Sequence, residues 1–329
     1  MKYFHILLLS LLLLNACSPK LEVPMRGEEV YEEFWTYVDE HYMYFEEKGA
    51  NWEEVKARYL ADPQTLSTEQ GLFDAMEASL LKLKDTHNRL VSDFDTADTY
   101  NFWEDFEVHF SIKVVNENYM EGNLQAYDAI YYEIVDNIGY IYIRQMRHNN
   151  ALQKTIRKMH KEGVEGLIID IRHNGGGDSN GIPDLLGDFV KKRTLLGSYQ
   201  EKSGPGHQDK TNPIPIYAYP SADFHFNKPT VLMINRRSYS ASSYMAAMFK
   251  GIDNVQLLGQ ITGGGGGGNY GHQLSNSWLL AVSVSDFLDK EGNSIEIGVA
   301  PDIQIENSEA DIEAGRDIML ERAFAILKN

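Results

Sequence analysis

Residues 231–250 read VLMINRRSYSASSYMAAMFK. Val231 to Ile234 make a short apolar run with the pattern of a buried strand, and Ala246, Ala247, Met248 and Phe249 close a helix. Between them stand Ser238, Ser240, Ser242 and Ser243. A strand that turns sharply into a helix lifts one side chain to the sheet edge and aims the first helical N–H groups at whatever binds there. A serine at such a turn can be a nucleophile, with the N–H of the next residue as an oxyanion donor. Taken alone, the stretch reads more simply as a serine-rich helix cap. The rest of the chain changes the balance.

Upstream, Gly166 to Ile171 reads as a fully buried strand that runs into Arg172-His173-Asn174-Gly175-Gly176-Gly177-Asp178. Glycines after a buried strand let backbone N–H groups approach a ligand closely. The triplet lacks both the G-x-G-x-x-G spacing of a dinucleotide loop and the Lys-Ser/Thr of a phosphate loop, so an oxyanion or peptide-backbone site fits better. Ala129 to Val135 and Ile138 to Ile143, split by Asp136-Asn137, read as a hairpin, and Asn150 to Glu162 as a helix. Downstream, Leu257 to Gly259 ends a strand and leads into Gly263–Gly268, expected to be a mobile cleft wall. Trp278 to Val284 alternates as a strand, and Asp311 to Leu327 reads as a final helix. Gly181 to Lys192 is expected to be helical, residues 194–202 a strand, and residues 203–229 a long loop lining a cleft.

The first part of the chain is helical. Val30, Phe34, Tyr37, Val38, His41 and Phe45 recur at helical spacing until Gly49. Asn51 with Glu54 resembles a capping box for a helix through Leu60, and Thr68 opens a third helix. That helix ends at Asp85-Thr86-His87, which places a histidine just past a helix end. Residues 92–127 are poorly periodic; Phe106 to Val115 alternates enough to suggest strand.

The chain has 329 residues, 43% hydrophobic and 24% charged, as in a globular protein, and its formal net charge of −18 argues against nucleic acid as a partner. Lys2 followed by Ile6–Leu14 reads as a signal peptide, too short to span a bilayer. It ends in Leu14-Asn15-Ala16-Cys17, where a bacterial lipoprotein carries its lipidated cysteine. Cys17 is the single cysteine, so internal disulfides and cysteine metal sites are excluded. The organisation expected is a signal peptide over 1–16, a tether over 17–27, a helical N-terminal unit over 28–90 and an α/β domain over 91–329. The location implied is the bacterial envelope, lipid-anchored on the periplasmic side or the cell surface. No metal or other cofactor is called for.

Several segments in one order resemble the C-terminal-processing, or tail-specific, serine peptidases, across roughly Asp85 to Ile305. These are IGYIYI with GLIIDIRHNGGGD, then NRRSYSASS, LLGQITGGG and EIGVAPDI. The resemblance implies an α/β domain of the ClpP/crotonase-like spiral type beside the helical unit. It places the nucleophile at Ser240, with Ala241 and one of Gly175 or Gly176 as oxyanion donors. Family members with a Ser–Lys dyad carry the lysine in the segment after G-x-x-T, but no lysine occurs here from Gly251 to Asp289. The chain is instead similar to the tricorn-core and retinoid-binding-protein-like branch, in which a D-x-H histidine is the base. That assigns the base to His87, with Thr86 beside it, and gives Glu296 the part of holding the imidazole, directly or through the Thr86 hydroxyl. Ser243 stands where the family commonly has Glu. Only 50 residues separate His87 from Ile138, too few for the family's PDZ domain with its linkers.

A serine hydroxyl needs a base that titrates near neutrality, and histidine is that base. The function expected is serine endopeptidase activity on peptides or unfolded polypeptides. The alternative is a non-catalytic member that binds a peptide or hydrophobic ligand in the same cleft. A sugar-binding lipoprotein would need a displayed aromatic platform, whereas the aromatics here fall largely at helix and strand spacing.

Overall fold

A computed structural model of the chain describes residues 26–97, 100–101, 106–147 and 150–328. The signal peptide, Cys17 and nearly all of the tether lie outside the described residues. Helices α1 (Gly27–His41), α2 (Phe45–Lys48), α3 (Trp52–Leu60) and α4 (Glu69–Leu81) come first. They are followed by β1 (Arg89–Val91), α5 (Ile112–Tyr119), β2 (Gln125–Tyr127), β3 (Ile130–Val135), β4 (Ile138–Ile143), α6 (Ala151–Lys161) and β5 (Gly166–Asp170). Next are α7 (Ile182–Leu186), β6 (Thr194–Glu201), β7 (Ile214–Ala218), β8 (Thr230–Ile234), α8 (Ala241–Phe249) and β9 (Val255–Gly259). The chain closes with β10 (Asn269–Gln273), β11 (Leu279–Ser283), β12 (Ser285–Leu288), β13 (Ile303–Gln304), α9 (Glu309–Glu313) and α10 (Ile318–Leu327).

The architecture is mixed α/β around a seven-stranded sheet in the order β13-β9-β8-β5-β4-β3-β2. From β13 to β4 every neighbour is parallel; β3 and β2 are added antiparallel. Every residue of β5 and β8 is buried, as parallel strands covered on both faces require. Leu167, Ile169 and Leu232 point to one core with Ile156, Met159 and Phe249. Ile168, Val231 and Met233 point to the other with Leu320 and Ala323 of α10. Burying each such side chain contributes roughly 1.5–3 kcal/mol.

The N-terminal helices use their apolar faces in a third core. Val30, Tyr31, Phe34, Trp35 and Val38 of α1 meet Leu72, Phe73, Met76 and Leu80 of α4. The Trp35 indole N–H donates to the Trp52 carbonyl at 2.9 Å, and the Trp52 N–H donates back to the Trp35 carbonyl at 3.1 Å. This core also takes in Leu274, Trp278, Leu280 and Val282, so the helical unit is packed on the sheet β1-β11-β10.

Several expectations need correction. The helical run to Phe45 breaks after His41, because Tyr42, Met43 and Tyr44 leave the helix and bury themselves in the body of the protein. Phe106 to Val115 is not strand: Ser111 caps α5, accepting the Val114 N–H at 3.3 Å. The helix expected over Gly181 to Lys192 covers only Ile182–Leu186. The long loop 203–229 contains β7, which pairs with β6 in a sheet completed by β12. The last helix is two, broken near Gly315, whose φ is +74°.

Arg172, at the end of β5, ties the sheet to α10. It is fully buried, bonds Asp170 through Nε at 3.0 Å and Nη2 at 2.7 Å, and reaches Asp317 through Nη1 at 3.0 Å. Removing one member strands the others as buried charges. Arg172→Met should therefore lower unfolding stability by about 3–5 kcal/mol, read as a drop in urea midpoint at unchanged m-value.

Candidate active site

Ser240 joins β8 to α8 with φ 55° and ψ −122°, a backbone state that non-glycine residues seldom adopt and that costs roughly 1–3 kcal/mol. The flanking chain is clamped. Ser238 donates its hydroxyl to the Ile171 carbonyl at 2.8 Å, the Tyr239 N–H donates to the Asn174 carbonyl at 3.0 Å, and the Ser240 N–H to the Gly264 carbonyl at 2.9 Å. Two glycine-bearing segments thus converge on one serine. Ser243, buried in the first turn of α8, donates to the Thr262 hydroxyl at 3.0 Å and fastens the helix start.

His87 Nε2 lies 3.1 Å from Ser240 Oγ across 153 residues of sequence. Its Nδ1 faces the Tyr239 hydroxyl at 3.3 Å and Asp85 Oδ1 at 3.7 Å. Asp85 is itself fixed: Oδ1 accepts the His87 backbone N–H at 2.8 Å and Oδ2 accepts the Ser283 hydroxyl at 2.8 Å. Burial holds the imidazole below its ordinary pKa; Asp85 opposes this and Lys48 adds to it.

The other expected residues are placed differently. The Glu296 carboxylate does not hold His87. It pairs with Lys48 Nζ at 2.5 Å and accepts the Gly266 N–H at 2.8 Å, and the carboxylate beside the imidazole is Asp85's. Burial first, then Asp85, pushes the Glu296 carboxyl up, while the Lys48 ammonium and the Gly266 N–H pull the other way, toward the ionised form. Thr86 forms no relay to Glu296; its hydroxyl donates to the Tyr100 carbonyl at 2.8 Å. Ala241 opens α8 and Gly176 lies against the turn: a Cβ on Gly176 would come within 2.9 Å of Ser240 Cβ and 3.0 Å of Ala241 N. The Gly176 N–H donates to Asn174 Oδ1 at 2.9 Å. Among the described residues, the N–H groups of Ala241 and Gly175 have no acceptor.

The six glycines are not a mobile wall. Gly264 to Gly267 are buried, and each is small because something fills the space a side chain would need. A Cβ on Gly265 would meet the Tyr239 ring at 2.5 Å, one on Gly267 would meet Ser283 at 2.6 Å, and one on Gly264 the Glu296 carbonyl at 1.9 Å. A lysine in this segment has no room.

A cavity of about 450 Å³ opens beside the turn. Its apolar lining is Ile130, Ile143, Met146, Ile182, Leu185 and Met245, and its charged lining is Asp128, Asp178, Asp184 and Arg147, which pairs with Asp128 at 3.0 Å. Met146 is bonded to the glycine turn on both sides, its N–H to the Gly176 carbonyl at 3.0 Å and its carbonyl to the Asp178 N–H at 3.3 Å.

A strained serine on a strand-to-helix turn, with a histidine in hydrogen-bond reach and an N–H at the helix start, is the constellation of a serine hydrolase. The model of peptidase family S41 matches residues 137–305, and that of the tricorn protease C1 domain matches residues 27–79. This chain belongs to peptidase family S41. A solved structure of a Parabacteroides merdae protein is similar over 92% of this chain and 97% of that one, at 30% identity and a TM-score of 0.85. The photosystem II D1 C-terminal processing protease shares the fold, with a TM-score of 0.58 at 18% identity over 90% of this chain and 98% of that one. The carboxy-terminal processing protease CtpA of Bacillus subtilis is 27% identical over 183 residues, 54% of this chain and 37% of that protein. The chloroplastic C-terminal processing peptidase of Tetradesmus obliquus is 28% identical over 172 residues, 51% of this chain and 35% of that protein. The match therefore spans little more than a third of either relative.

Sequence reasoning passed over three residues as members of the site. Asp85 was visible as the first residue of Asp85-Thr86-His87, and Tyr239 as the neighbour of Ser240 in the serine-rich stretch. Lys48 carried no signal, since a helix-terminal lysine is ordinarily solvated. The glycine geometry yields a paired test. Gly265→Ala forces a Cβ into the Tyr239 ring at φ +79° and should cost about 1–3 kcal/mol, whereas a Cβ on Gly175 meets nothing within 4 Å, so Gly175→Ala should stay within about 0.5 kcal/mol. Thermal melts of the two variants check this.

Proposed function

We propose that the chain is a lipid-anchored serine endopeptidase that cleaves peptides or unfolded polypeptides through Ser240 and His87. The observation that carries this reading is the 3.1 Å approach of His87 Nε2 to a serine held in a strained turn. For Nε2 to accept the Ser240 proton, Nδ1 must carry the ring hydrogen, and it then points at Tyr239 and Asp85. Asp85 is the acid that stabilises the imidazolium, as a carboxylate does in such units. Serine Oγ attacks the scissile carbonyl, His87 takes the proton and returns it to the leaving amine, and water hydrolyses the acyl-enzyme by the same route. The Ala241 N–H and the Gly175 N–H supply the oxyanion donors, since the Gly176 N–H is already given to Asn174 Oδ1. The names of the similar processing proteases support a protein substrate.

The cavity beside the glycine turn fits an apolar side chain of the substrate, and the net negative charge of its lining, three aspartates against Arg147, disfavours an acidic one. A peptide series with an apolar residue at the position entering this cavity should be cut at least ten-fold faster, in kcat/KM, than one with glutamate there.

Cleavage of a permanently unfolded test protein checks the mechanism. Ser240→Ala and His87→Ala should each lose at least a thousand-fold, and by similar factors, because members of such a unit fail together. The rate should rise with pH on one ionisation whose midpoint lies below about 6.5, because His87 works as the neutral base and burial lowers its pKa. Full turnover by His87→Ala would remove it as the base.

The Leu14–Cys17 ending of the apolar leader supports lipidation at Cys17 and a place in the bacterial envelope. Cys17→Ser should move the protein from the detergent phase to the aqueous phase in a phase-partition assay; partition unchanged would contradict this.

A further inference from the structure

The segment between α1 and α3 reaches past its own helices into the body of the protein. The Met43 N–H donates to the Ser283 carbonyl at 2.9 Å. The Tyr44 hydroxyl lies against the Ser285 carbonyl at 2.9 Å and Asp286 Oδ1 at 3.0 Å, deep in the interior. At the end of α2, Lys48 delivers a cation to Glu296, whose side chain is 1% exposed. The other oxygen of that carboxylate holds Gly266, and the neighbouring Gly265 packs on the ring of Tyr239, which in turn touches His87. A chain of contacts thus runs from the N-terminal helices to the imidazole.

We propose that Lys48 is a positioning residue for the Ser240–His87 pair. It neutralises Glu296 and keeps that carboxylate on the glycine segment instead of on the imidazole. The inference rests on the peptidase reading for its purpose, but its content is a charge coupling that can be read on the ring itself.

A buried carboxylate without a counterion either takes a proton or draws its neighbours' protons toward it. Around His87 and Glu296 the facing groups are Asp85 after α4, Tyr42 and Tyr44 between α1 and α2, Tyr239 before α8, Tyr244 in α8, and Asp286 in β12 with the Glu47–Lys210 pair beyond it. The tyrosine hydroxyls are held well above their ordinary range by burial, so they stay neutral. Lys48 and Asp85 are then the charges that act on His87, with opposite signs. Removing Lys48 takes away a cation that disfavours the imidazolium. Neutralising Glu296 leaves that cation uncompensated.

The two changes must therefore move the titration of His87 in opposite directions. The measurement is the midpoint of the His87 Cε1–H resonance in the full chain carrying Ser240→Ala, assigned among the 10 histidines by its loss in His87→Gln. Lys48→Met should raise the midpoint by half a pH unit or more, Glu296→Gln should lower it by a comparable amount, and the double variant should return it close to the parent, on the order of Coulomb coupling between part-buried charges. Lys48→Arg should leave it in place. An unchanged midpoint in Lys48→Met, or shifts of the same sign in Lys48→Met and Glu296→Gln, would overturn the proposal. If Lys48→Met fails to fold, Glu296→Gln decides alone, since an unmoved midpoint there shows that Lys48 exerts no uncompensated field. A chain without peptidase activity would sink the peptidase reading and leave this measurement intact.

Discussion

The structure depends most on the backbone of Ser240 at φ 55°. A serine does not hold that conformation for its own sake; neighbours must over-determine it. Here three strands of chain do so: the end of β5 through Ile171 and Asn174, the end of β8 through the turn itself, and the glycine segment through Gly264. The side-by-side parallel pairing of β5, β8 and β9 brings these ends to one edge. The sheet topology, the glycines on both sides and the serine are parts of one constraint.

The histidine arrives from elsewhere. His87 follows the N-terminal helices, and its loop is pinned by Asp85 to Ser283 at the end of β11. That strand carries Leu280 and Val282, on which the helical unit packs. The helices are therefore a scaffold for the site. Their shared core with β11 sets where His87 stands, and the Tyr42–Lys48 segment sets the charge behind it. Burial that holds the imidazole below its ordinary pKa, with a fixed carboxylate beside it, is what the role proposed for His87 requires.

Much of this was legible in the sequence because it follows from local rules. The hairpin around Asp136-Asn137 has the left-handed φ values, 51° and 62°, that a two-residue turn demands. The caps at Asn51 and Thr68 follow from short polar side chains before helices. The serine turn and the histidine stood out through spacing and family pattern. What escaped was long-range. Tyr42 to Tyr44 leave the helical pattern because their rings are used in the interior. Six glycines looked like a flexible stretch, and only the packed Tyr239 ring and the Ser283 side chain explain them. Glu296 was recognised as part of the site, but its partner could not be, since Lys48 lies 248 residues away and a pairing of that separation leaves no periodic trace.

The claim that Ser240 and His87 act as one nucleophilic unit is tested most directly by covalent trapping. The protein is treated with a fluorophosphonate at neutral pH and mapped by peptide mass spectrometry, in parallel with the His87→Ala variant. The account predicts a single adduct on Ser240 in the parent and a labelling rate reduced at least a hundred-fold in the variant. An adduct on another residue, or equal labelling of Ser240 without His87, would contradict it.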